Sequence, residues 1–497
     1  MAIKKYFADA DNTITNAFRS SLVSRGTDAN MGASDILEVF SIYGQKTSGS
    51  TELERILVKF PITEVVADRA AGTIPASGSV SFYLRMFNAR HGQTLPRQFT
   101  LNVSAVSRSW EEGFGLDMLE YKDIVYPKNE GSTWMSASQA EAWTRMGGDY
   151  HASPVYTDYF DKGTENLEVD VTSVVEEWIA GTKDNYGFGV HLTGTQEGYY
   201  SGSAGADSAK GELNNLSGSQ NTFYTKEFFG RNSEFYYKRP IIEARWDSSI
   251  KDDRGYFWAS SSLAPAADNI NTIYLYNVIR GRLTNIPSVG TGEIYVKVFT
   301  SPAGGTDLTP TPITGGYVST GVYSASFDLD TTASAVYDRW FNSGLAICYH
   351  TGTIEVNQVN SSGMSSYGQF VVNITNLKHV YDEDEKARFR FYVREKNWSP
   401  TIYTVASEKI ENITIPSASY SIYRVIDDLE LVPHATGALK YSEMSYDVSG
   451  NYFDFDMSGL QRGYAYGIKV AFYNDSVLSY VEQPYIWKFR VEDLNER

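Results

Sequence analysis

Residues 167–192 read LEVDVTSVVEEWIAGTKDNYGFGVHL and join two strand patterns through one short helix pattern. In residues 167–171 apolar and charged residues alternate, which predicts a half-buried strand. Residues 188–192 alternate again and predict a second strand. Gly187 and Gly189 flank Phe188, which indicates that another group packs closely on that face of the strand.

The helix pattern between these strands carries its own start and stop signals. Its apolar face consists of Val174, Val175 and Trp178. Thr172 or Ser173 offers a hydroxyl for the N-cap, and Glu176 is spaced to bond back to the open amides. Gly181 stands where a left-handed residue commonly ends a helix. We expect Trp178 to close one end of a β-sandwich core.

Length and composition predict an all-β protein of about three domains. The chain has 497 residues, which is enough for roughly three domains of ordinary size. Its 36 tyrosines against 9 tryptophans, with many small polar residues, favour short strands joined by turns. A net charge of -17 repels phosphates and anionic lipids, so direct nucleic-acid binding is not expected.

Cysteine content and hydropathy define further expectations. Cys348 is the single cysteine, so no internal disulfide can form, and its apolar neighbours predict a buried small side chain. The first residues, MAIKKYFADAD, lack an apolar segment, and no uninterrupted apolar window of about 18 residues occurs. We therefore expect neither a secretory signal nor membrane insertion.

Residues 1–250 show the alternation of sandwich strands. In two of these predicted strands the apolar residues should face one core. They are Val80, Phe82, Leu84 and Met86 in the first strand, and Phe99, Leu101, Val103 and Ala105 in the second. The pattern weakens over residues 113–163, where residues 136–146 predict a short helix with Gln139 in its capping box. Residues 194–218 form another polar loop.

The order of these elements resembles the DNRLRE-type jelly-roll domain, a β-sandwich related to carbohydrate-binding modules. The matching segments are ADADNTI (8–14), NMG (30–32), RILVKF (55–60), VSRSWEE (106–112), VDVTSVVEEWIAG (169–181), NYGFGVHL (185–192) and RPIIEARW (239–246). The resemblance covers about half of the chain and implies a jelly-roll fold. The insertion between Trp110 and Leu167 and the loop over 194–222 depart from the pattern, so no sugar contacts are carried over.

The remaining residues predict two further domains. Residues 251–254, KDDR, form a polar joint, after which residues 251–363 alternate as an Ig-like β-sandwich, with a short amphipathic helix over residues 332–342. Residues 361–368 are linker-like, and residues 364–497 contain six strand patterns of a second Ig-like sandwich. The prediction is thus an N-terminal jelly-roll β-sandwich followed by two Ig-like β-sandwich domains. Segments of the second domain are similar to Ig-like domains of phage structural proteins.

Sequence motifs of catalysis are absent. The six histidines, at positions 91, 151, 191, 350, 379 and 434, show no metal-binding spacing, and nucleotide-binding and nucleophile motifs do not occur. The acid pairs at residues 111–112 and 176–177 diverge on a strand or a helix, so neither forms a glycosidase site by itself. We expect a non-enzymatic protein with no catalytic, cofactor-binding or metal site. Calcium is a minor alternative at residues 9–12 or 382–385.

Aromatic doublets are the remaining surface signal. The residues concerned are Tyr199, Tyr200, Phe223, Tyr224, Phe228, Phe229, Tyr236 and Tyr237. One member of each doublet in a strand must face away from the core, which favours contact with another chain or with a sugar.

The opening residues, from MAIKKYFADADNTITNAF (1–18) to SDILEVFSIYGQ (34–45), are similar to structural proteins of marine contractile-tailed phages. This resemblance implies a non-enzymatic virion protein of capsid, collar, tail or fibre. It would be assembled in the host cytoplasm and contact other virion proteins, with copies of itself forming a homo-oligomer. The alternative is a carbohydrate-binding or receptor-binding fibre module that recognises a glycan of the host surface.

Overall fold

The computed structural model describes residues 2–19, 22–45, 51–90, 96–116, 131–202, 211–358, 370–396, 398, 412–474 and 477–493. The chain is all-β, as the sequence predicts. It divides into two compact units, Ala2–Trp246 and Asp247–Arg497. The 361–368 linker lies outside the described residues, and the division into three domains at residues 250 and 363 stays a prediction.

Eleven described strands build the first unit. They are β1 (Ile3–Phe7), β2 (Ala10–Thr15), β3 (Ile36–Gln45), β4 (Glu52–Lys59), β5 (Ser81–Met86), β6 (Phe99–Val106), β7 (Tyr150–Phe160), β8 (Leu167–Asp170), β9 (Phe188–Leu192), β10 (Asn221–Phe229) and β11 (Ile241–Arg245). One antiparallel sheet has the order β1-β11-β5-β8, and the other has the order β10-β3-β4-β9-β6-β7 with β2 beside β4. The two sheets form a β-sandwich.

The main core of the first unit lies between these two sheets. All four apolar residues predicted from each of the two alternating patterns, in and beside β5 and β6, are buried there. Period-two alternation identified them because both strands have one face in the core and one face toward polar surroundings.

Two nine-residue helices, α1 (Ile62–Ala70) and α2 (Thr172–Ala180), accompany this core. In α2 the apolar face is buried as predicted, and Gly181 ends the helix at φ 70°. The predicted capping box is wrong, because Val171 is the N-cap and makes no side-chain cap bond. Glu176 instead accepts two hydrogen bonds from the Arg69 guanidinium of α1, at 2.6 and 2.7 Å. No helix in the described residues is long and apolar enough to span a bilayer.

The opposite face of the seven-stranded sheet carries a second core. It consists of Ile14, Leu53, Leu57, Val106, Trp110, Trp134, Ala137, Trp143, Met146 and Leu213. The helix predicted over residues 136–146 is wrong, because this segment is a series of turns. Trp143 of this segment and the preceding Trp134 bond to backbone carbonyls: Trp143 Nε1 donates to Thr133 O and Trp134 Nε1 donates to Gly211 O, each at 2.8 Å. The insertion therefore forms a packed layer on the sheet.

The second unit begins with strands that surround a core of their own. They are β12 (Phe257–Trp258), β13 (Asn271–Tyr276), β14 (Val278–Ile279), β15 (Arg282–Leu283), β16 (Ile294–Phe299), β17 (Ile313–Ser319), β18 (Val322–Phe327), β19 (Ala335–Phe341) and β20 (Cys348–Asn357). Seven of them form one sheet, β12-β20-β19-β16-β17-β18-β13, and β14 and β15 form a separate hairpin. Side chains from most strands of this sheet converge in one cluster.

Two sequence predictions fail in this part of the chain. The helix expected over residues 332–342 is strand β19, in which Val336, Asp338 and Trp340 are buried. The buried Asp338 hid the alternation, because a charged residue stands at a core position and is neutralised by Arg254. Cys348 is half-buried rather than buried, and its Sγ lies 3.3 Å from His350 O.

The remaining strands form two facing sheets. They are β21 (Phe370–Ile374), β22 (Val380–Asp382), β23 (Lys386–Glu395), β24 (Ala418–Arg424), β25 (Leu429–Val432), β26 (Ser445–Asp447), β27 (Gly450–Asp456), β28 (Ala465–Asn474), β29 (Ser479–Glu482) and β30 (Trp487–Glu492). The sheets have the orders β21-β23-β27-β26 and β22-β30-β28-β24-β25, with β29 beside β28. Strands β21, β23 and β28 contribute buried apolar residues, among them Val372, Phe389 and Ile468.

The joint at residues 251–254 is packed rather than an exposed tether, which corrects the linker prediction. Asp252 is buried, and its backbone N–H donates to the backbone oxygen of Tyr446 in strand β26 at 3.0 Å. Lys251 Nζ lies 2.7 Å from a carboxylate oxygen of Glu443, and Arg254 pairs with Asp338 of β19. The joint thus connects strands from both halves of the second unit.

Candidate functional site

A groove of about 640 Å³ opens on the face of the first unit's seven-stranded sheet that also carries the second core. Strand alternation explains its position. In β6, Leu101 and Val103 point into the main core while Asn102 and Ser104 line the groove. In β9, His191 lines the groove between two core residues. The same strands therefore build the main core and one wall of the groove.

A buried ion pair forms part of the groove lining. The Arg55 guanidinium of β4 contacts both carboxylate oxygens of Glu197, with Nη2 at 2.8 and 2.9 Å and Nε at 3.0 Å from the nearer oxygen. Its Nη1 donates to Gly147 O at 3.0 Å. This two-point geometry neutralises both charges and holds the 194–197 loop against the sheet. The sequence gives no sign of the pair, because its members are 142 positions apart.

Tyr150 and His191 form a ring pair in the groove, with centroids 5.3 Å apart. A Cβ atom on Gly189 would lie 2.0 Å from Tyr150 Cε1, which confirms the predicted close packing at this glycine. The Tyr150 hydroxyl donates to Gly147 O at 2.8 Å. Burial raises the pKa of Tyr150 to about 12, so the phenol stays neutral.

His191 is held as a neutral ring. Its Nδ1 lies 2.8 Å from Leu192 O, which only accepts, so Nδ1 carries the proton and Nε2 is left as an acceptor. Burial, together with the charge of Arg55, lowers the pKa of His191 to about 4. The imidazole therefore presents a ring face and a neutral acceptor at physiological pH.

The rim of the groove is rich in hydrogen-bonding groups. Arg108 pairs with Asp149 at 3.2 Å, and the exposed Arg145 donates its backbone N–H to the same carboxylate at 2.9 Å. Asn214 Oδ1 is buried and has no hydrogen-bond partner in the described part of the chain. Asn215 Nδ2 donates to Gly194 O at 2.7 Å and fixes the loop. The groove can therefore bind a polar ligand that donates hydrogen bonds.

The described histidines, which show no metal-binding spacing in the sequence, are divided between the two units. His151 and His191 line the same groove, a proximity that their sequence spacing did not reveal. His350, His379 and His434 belong to the second unit, and His91 lies outside the described residues. Within the described ranges, no group of three or more His, Cys, Asp or Glu side chains is placed to hold a metal ion.

The acid pairs are engaged in separate structural contacts. Glu112 pairs with Arg231 at 2.8 Å, and Glu177 pairs with Lys183. With Glu176 on Arg69, the second pair is divided between two cations. None of these four carboxylates, Glu111 included, lines the groove.

The segments considered for calcium differ in their surroundings. Asp11 and Asn12 lie in strand β2 rather than in a turn. Asn12 Nδ2 donates to the backbone and side-chain oxygens of Ser132, at 2.9 and 2.7 Å. In the second segment, Glu385 pairs with Lys378.

The two aromatic doublets of strand β10 divide between core and surface as predicted, whereas Tyr199 and Tyr200 are both half-buried, and Tyr236 and Tyr237 lie in a 3-10 turn rather than in a strand. Phe228 and Tyr237 are buried, while Phe223 is 62% and Tyr236 is 42% exposed. Tyr236 meets Phe7 with ring centroids 4.3 Å apart.

A second ring contact extends this surface. Phe235 is 45% exposed and meets Phe229 at 5.4 Å between centroids. Lys238 Nζ lies 5.4 and 5.5 Å from these two ring centroids. We call Phe7, Phe229, Phe235, Tyr236 and Lys238 the aromatic cluster.

Comparisons with known proteins assign no family to the chain. No family model and no curated protein matches it. Among solved structures it is similar to the adhesin InvE of Yersinia pseudotuberculosis, at 11% identity and TM-score 0.15, over 47% of this chain and 56% of that one. The IG1 and IG2 domains of DIP-gamma show 12% identity and TM-score 0.13 over 48% and 92%. Salmonella alpha-2-macroglobulin reacted with methylamine shows 9% identity and TM-score 0.16 over 100% and 34%. The chain thus spans about half of the InvE structure.

Proposed function

We propose that this chain is a non-enzymatic structural component of a bacteriophage virion that acts through protein-protein contacts. The observation that carries the proposal is the aromatic cluster of the first unit. Exposed adjacent aromatic rings are typical of surfaces that another protein covers. The resemblance of residues 1–45 to phage structural proteins supports the same role.

Incorporation into particles tests this proposal. Immunogold labelling of purified virions from the source phage should detect the protein at a repeated position. The double substitution Phe235→Ala and Tyr236→Ala should lower incorporation about tenfold or more, because central aromatic contacts dominate most interfaces. Leu216→Ala, at another exposed apolar residue of the same unit, is the matched control and should leave incorporation unchanged. Absence of the chain from purified particles would refute the virion role.

A second candidate function, recognition of a surface glycan, is favoured by the groove. Sugars present many hydroxyl donors beside an apolar ring face. The buried and unpaired Asn214 Oδ1, the neutral His191 and the Tyr150 ring supply the complementary acceptors and surface. Tyr199 and Tyr237, the doublet members considered as sugar contacts, do not line the groove.

A glycan array with the full chain tests this second function. Asn214→Ala should weaken binding by about three- to tenfold, since one hydrogen bond is worth ~0.5–1.5 kcal/mol. Asn221→Ala changes an exposed amide outside the groove lining and serves as control. No bound glycan on the array, or equal binding by both variants, would rule the groove out as the glycan site.

A further inference from the structure

The β14–β15 hairpin of the second unit is anchored at its base. Asn277 N donates to Gly321 O at 2.7 Å, and Asn277 Nδ2 donates to Thr284 O at 2.6 Å. Gly321 N in turn donates to Asn285 Oδ1 at 2.7 Å. These bonds place the hairpin beside the turn between β17 and β18.

The residues beyond this base are apolar and exposed. They are Val278, Ile279 and Leu283, each between 44% and 56% exposed, and we call them the hairpin patch. All four strand residues of the hairpin are exposed. A two-stranded hairpin is marginally stable in water by itself, and contiguous exposed apolar groups commonly mark a contact surface.

The residues around the hairpin patch carry a positive charge, whereas the whole chain has a net charge of -17. Arg280 and Arg282 stand at the tip, and residues 270–292 contain no acid. Residues 309–327, which include the neighbouring turn, carry no charge at all. The whole chain, by contrast, has 60 acidic residues against 43 basic ones. The surface that complements this tip is therefore acidic with apolar groups.

We propose that the hairpin patch docks on a second copy of this chain, with Arg280 and Arg282 meeting acidic side chains of that copy. Every copy carries an excess of acidic over basic residues, 60 against 43, to which an arginine pair at the tip is complementary in charge. Burial of the patch then supplies the apolar part of the free energy. This inference deepens the proposed assembly role and gives it a contact between identical chains.

Sedimentation velocity of the full chain over a concentration series tests the proposal. Wild-type protein should show reversible self-association, with a sedimentation coefficient that rises with concentration. Arg280→Glu with Arg282→Glu should weaken association about tenfold or more, and Val278→Ser with Ile279→Ser should weaken it similarly.

Two controls separate this contact from general charge and surface effects. Lys386→Glu with Lys488→Glu makes the same change in net charge at exposed sites of β23 and β30, and it should leave association unchanged. Leu263→Ser, at a residue 67% exposed, should also have no effect.

A chain that stays monomeric at all concentrations, or a lysine control that weakens association as much as the arginine variant, overturns the proposal. The measurement uses no particles, so its failure is distinguishable from failure of virion incorporation.

Discussion

Replacing Trp178 with alanine tests whether helix α2 closes the main core of the first unit. The side chain is 4% exposed and its ring centroid lies 4.8 Å from that of Phe188 in β9. A large aromatic buries about 150–250 Å², which at ~25 cal/mol per Å² corresponds to ~4–6 kcal/mol as an upper limit. Alanine retains a small part of this burial. We expect Trp178→Ala to lower the free energy of unfolding of the first unit by ~3–5 kcal/mol.

Trp178→Phe refines the same prediction. Trp178 Nε1 is buried and has no hydrogen-bond partner among the described residues, so phenylalanine removes an unsatisfied donor while keeping one ring. Since an unpaired buried donor costs ~1–3 kcal/mol, the net loss for Trp178→Phe should stay below ~2 kcal/mol.

Urea unfolding of the full chain, followed by tryptophan fluorescence and checked by calorimetry, measures both losses. Ser173→Ala is the control on the same helix, because Ser173 is exposed, is not the N-cap and loses only its hydrogen bond with the Tyr156 hydroxyl, so its effect should stay within ~1 kcal/mol. A loss below ~1 kcal/mol for Trp178→Ala, or an equal shift of every transition of the chain, would refute this account of α2.

Three further predictions concern buried charge and close packing. Burial alone would raise the pKa of Glu243, but Arg85 and the other neighbouring cations hold it at about 2. The stability that this carboxylate adds is therefore present at neutral pH and is lost as the pH falls from about 4.5 through about 2. Glu243→Gln should cost ~3–5 kcal/mol at pH 7 and little near pH 2, as acid unfolding curves would reveal. Burial and neighbouring acids raise the pKa of Glu54 well above its usual range, so its contribution to stability is present below about pH 4.5 and lost as pH rises through the folded pKa. Glu54→Gln should therefore raise stability at alkaline pH and reduce this dependence, and an unchanged pH profile would contradict the assignment. Gly189→Ala should displace the Tyr150 ring and lower stability by ~1–3 kcal/mol, measured by thermal unfolding, whereas Gly194→Ala meets no atom within 4 Å and should be tolerated.

Strands with one face in a core were predictable from the sequence alone. The alternation in β5 and β6, the buried face of α2 and the left-handed Gly181 all follow from local spacing. Strand β19 was missed because a buried ion pair placed Asp338 at a core position, where the pattern requires an apolar residue. Local periodicity succeeds where burial is apolar and fails where burial is satisfied by a distant partner.

The candidate groove was beyond sequence reasoning for a related reason. Its ion pair joins Arg55 to Glu197, and its ring pair joins Tyr150 to His191, so each contact depends on how strands and loops meet in space. The insertion between Trp110 and Leu167 does contain a sequence indication of its packing, because Trp134 and Trp143 in a polar segment indicate a packed layer. Tryptophans in a solvated loop are uncommon, because their burial is strongly favourable.

The seven-stranded sheet separates two tasks that many binding proteins combine in one place. Its inner face contributes to the main core, and its outer face carries the second core and the groove. Substitutions in the loops over residues 144–149 and 213–215 can therefore alter the lining of the groove without changing a side chain of the main core. Such a fold can acquire a new ligand by exchanging one outer layer, while the sandwich beneath it keeps the same packing.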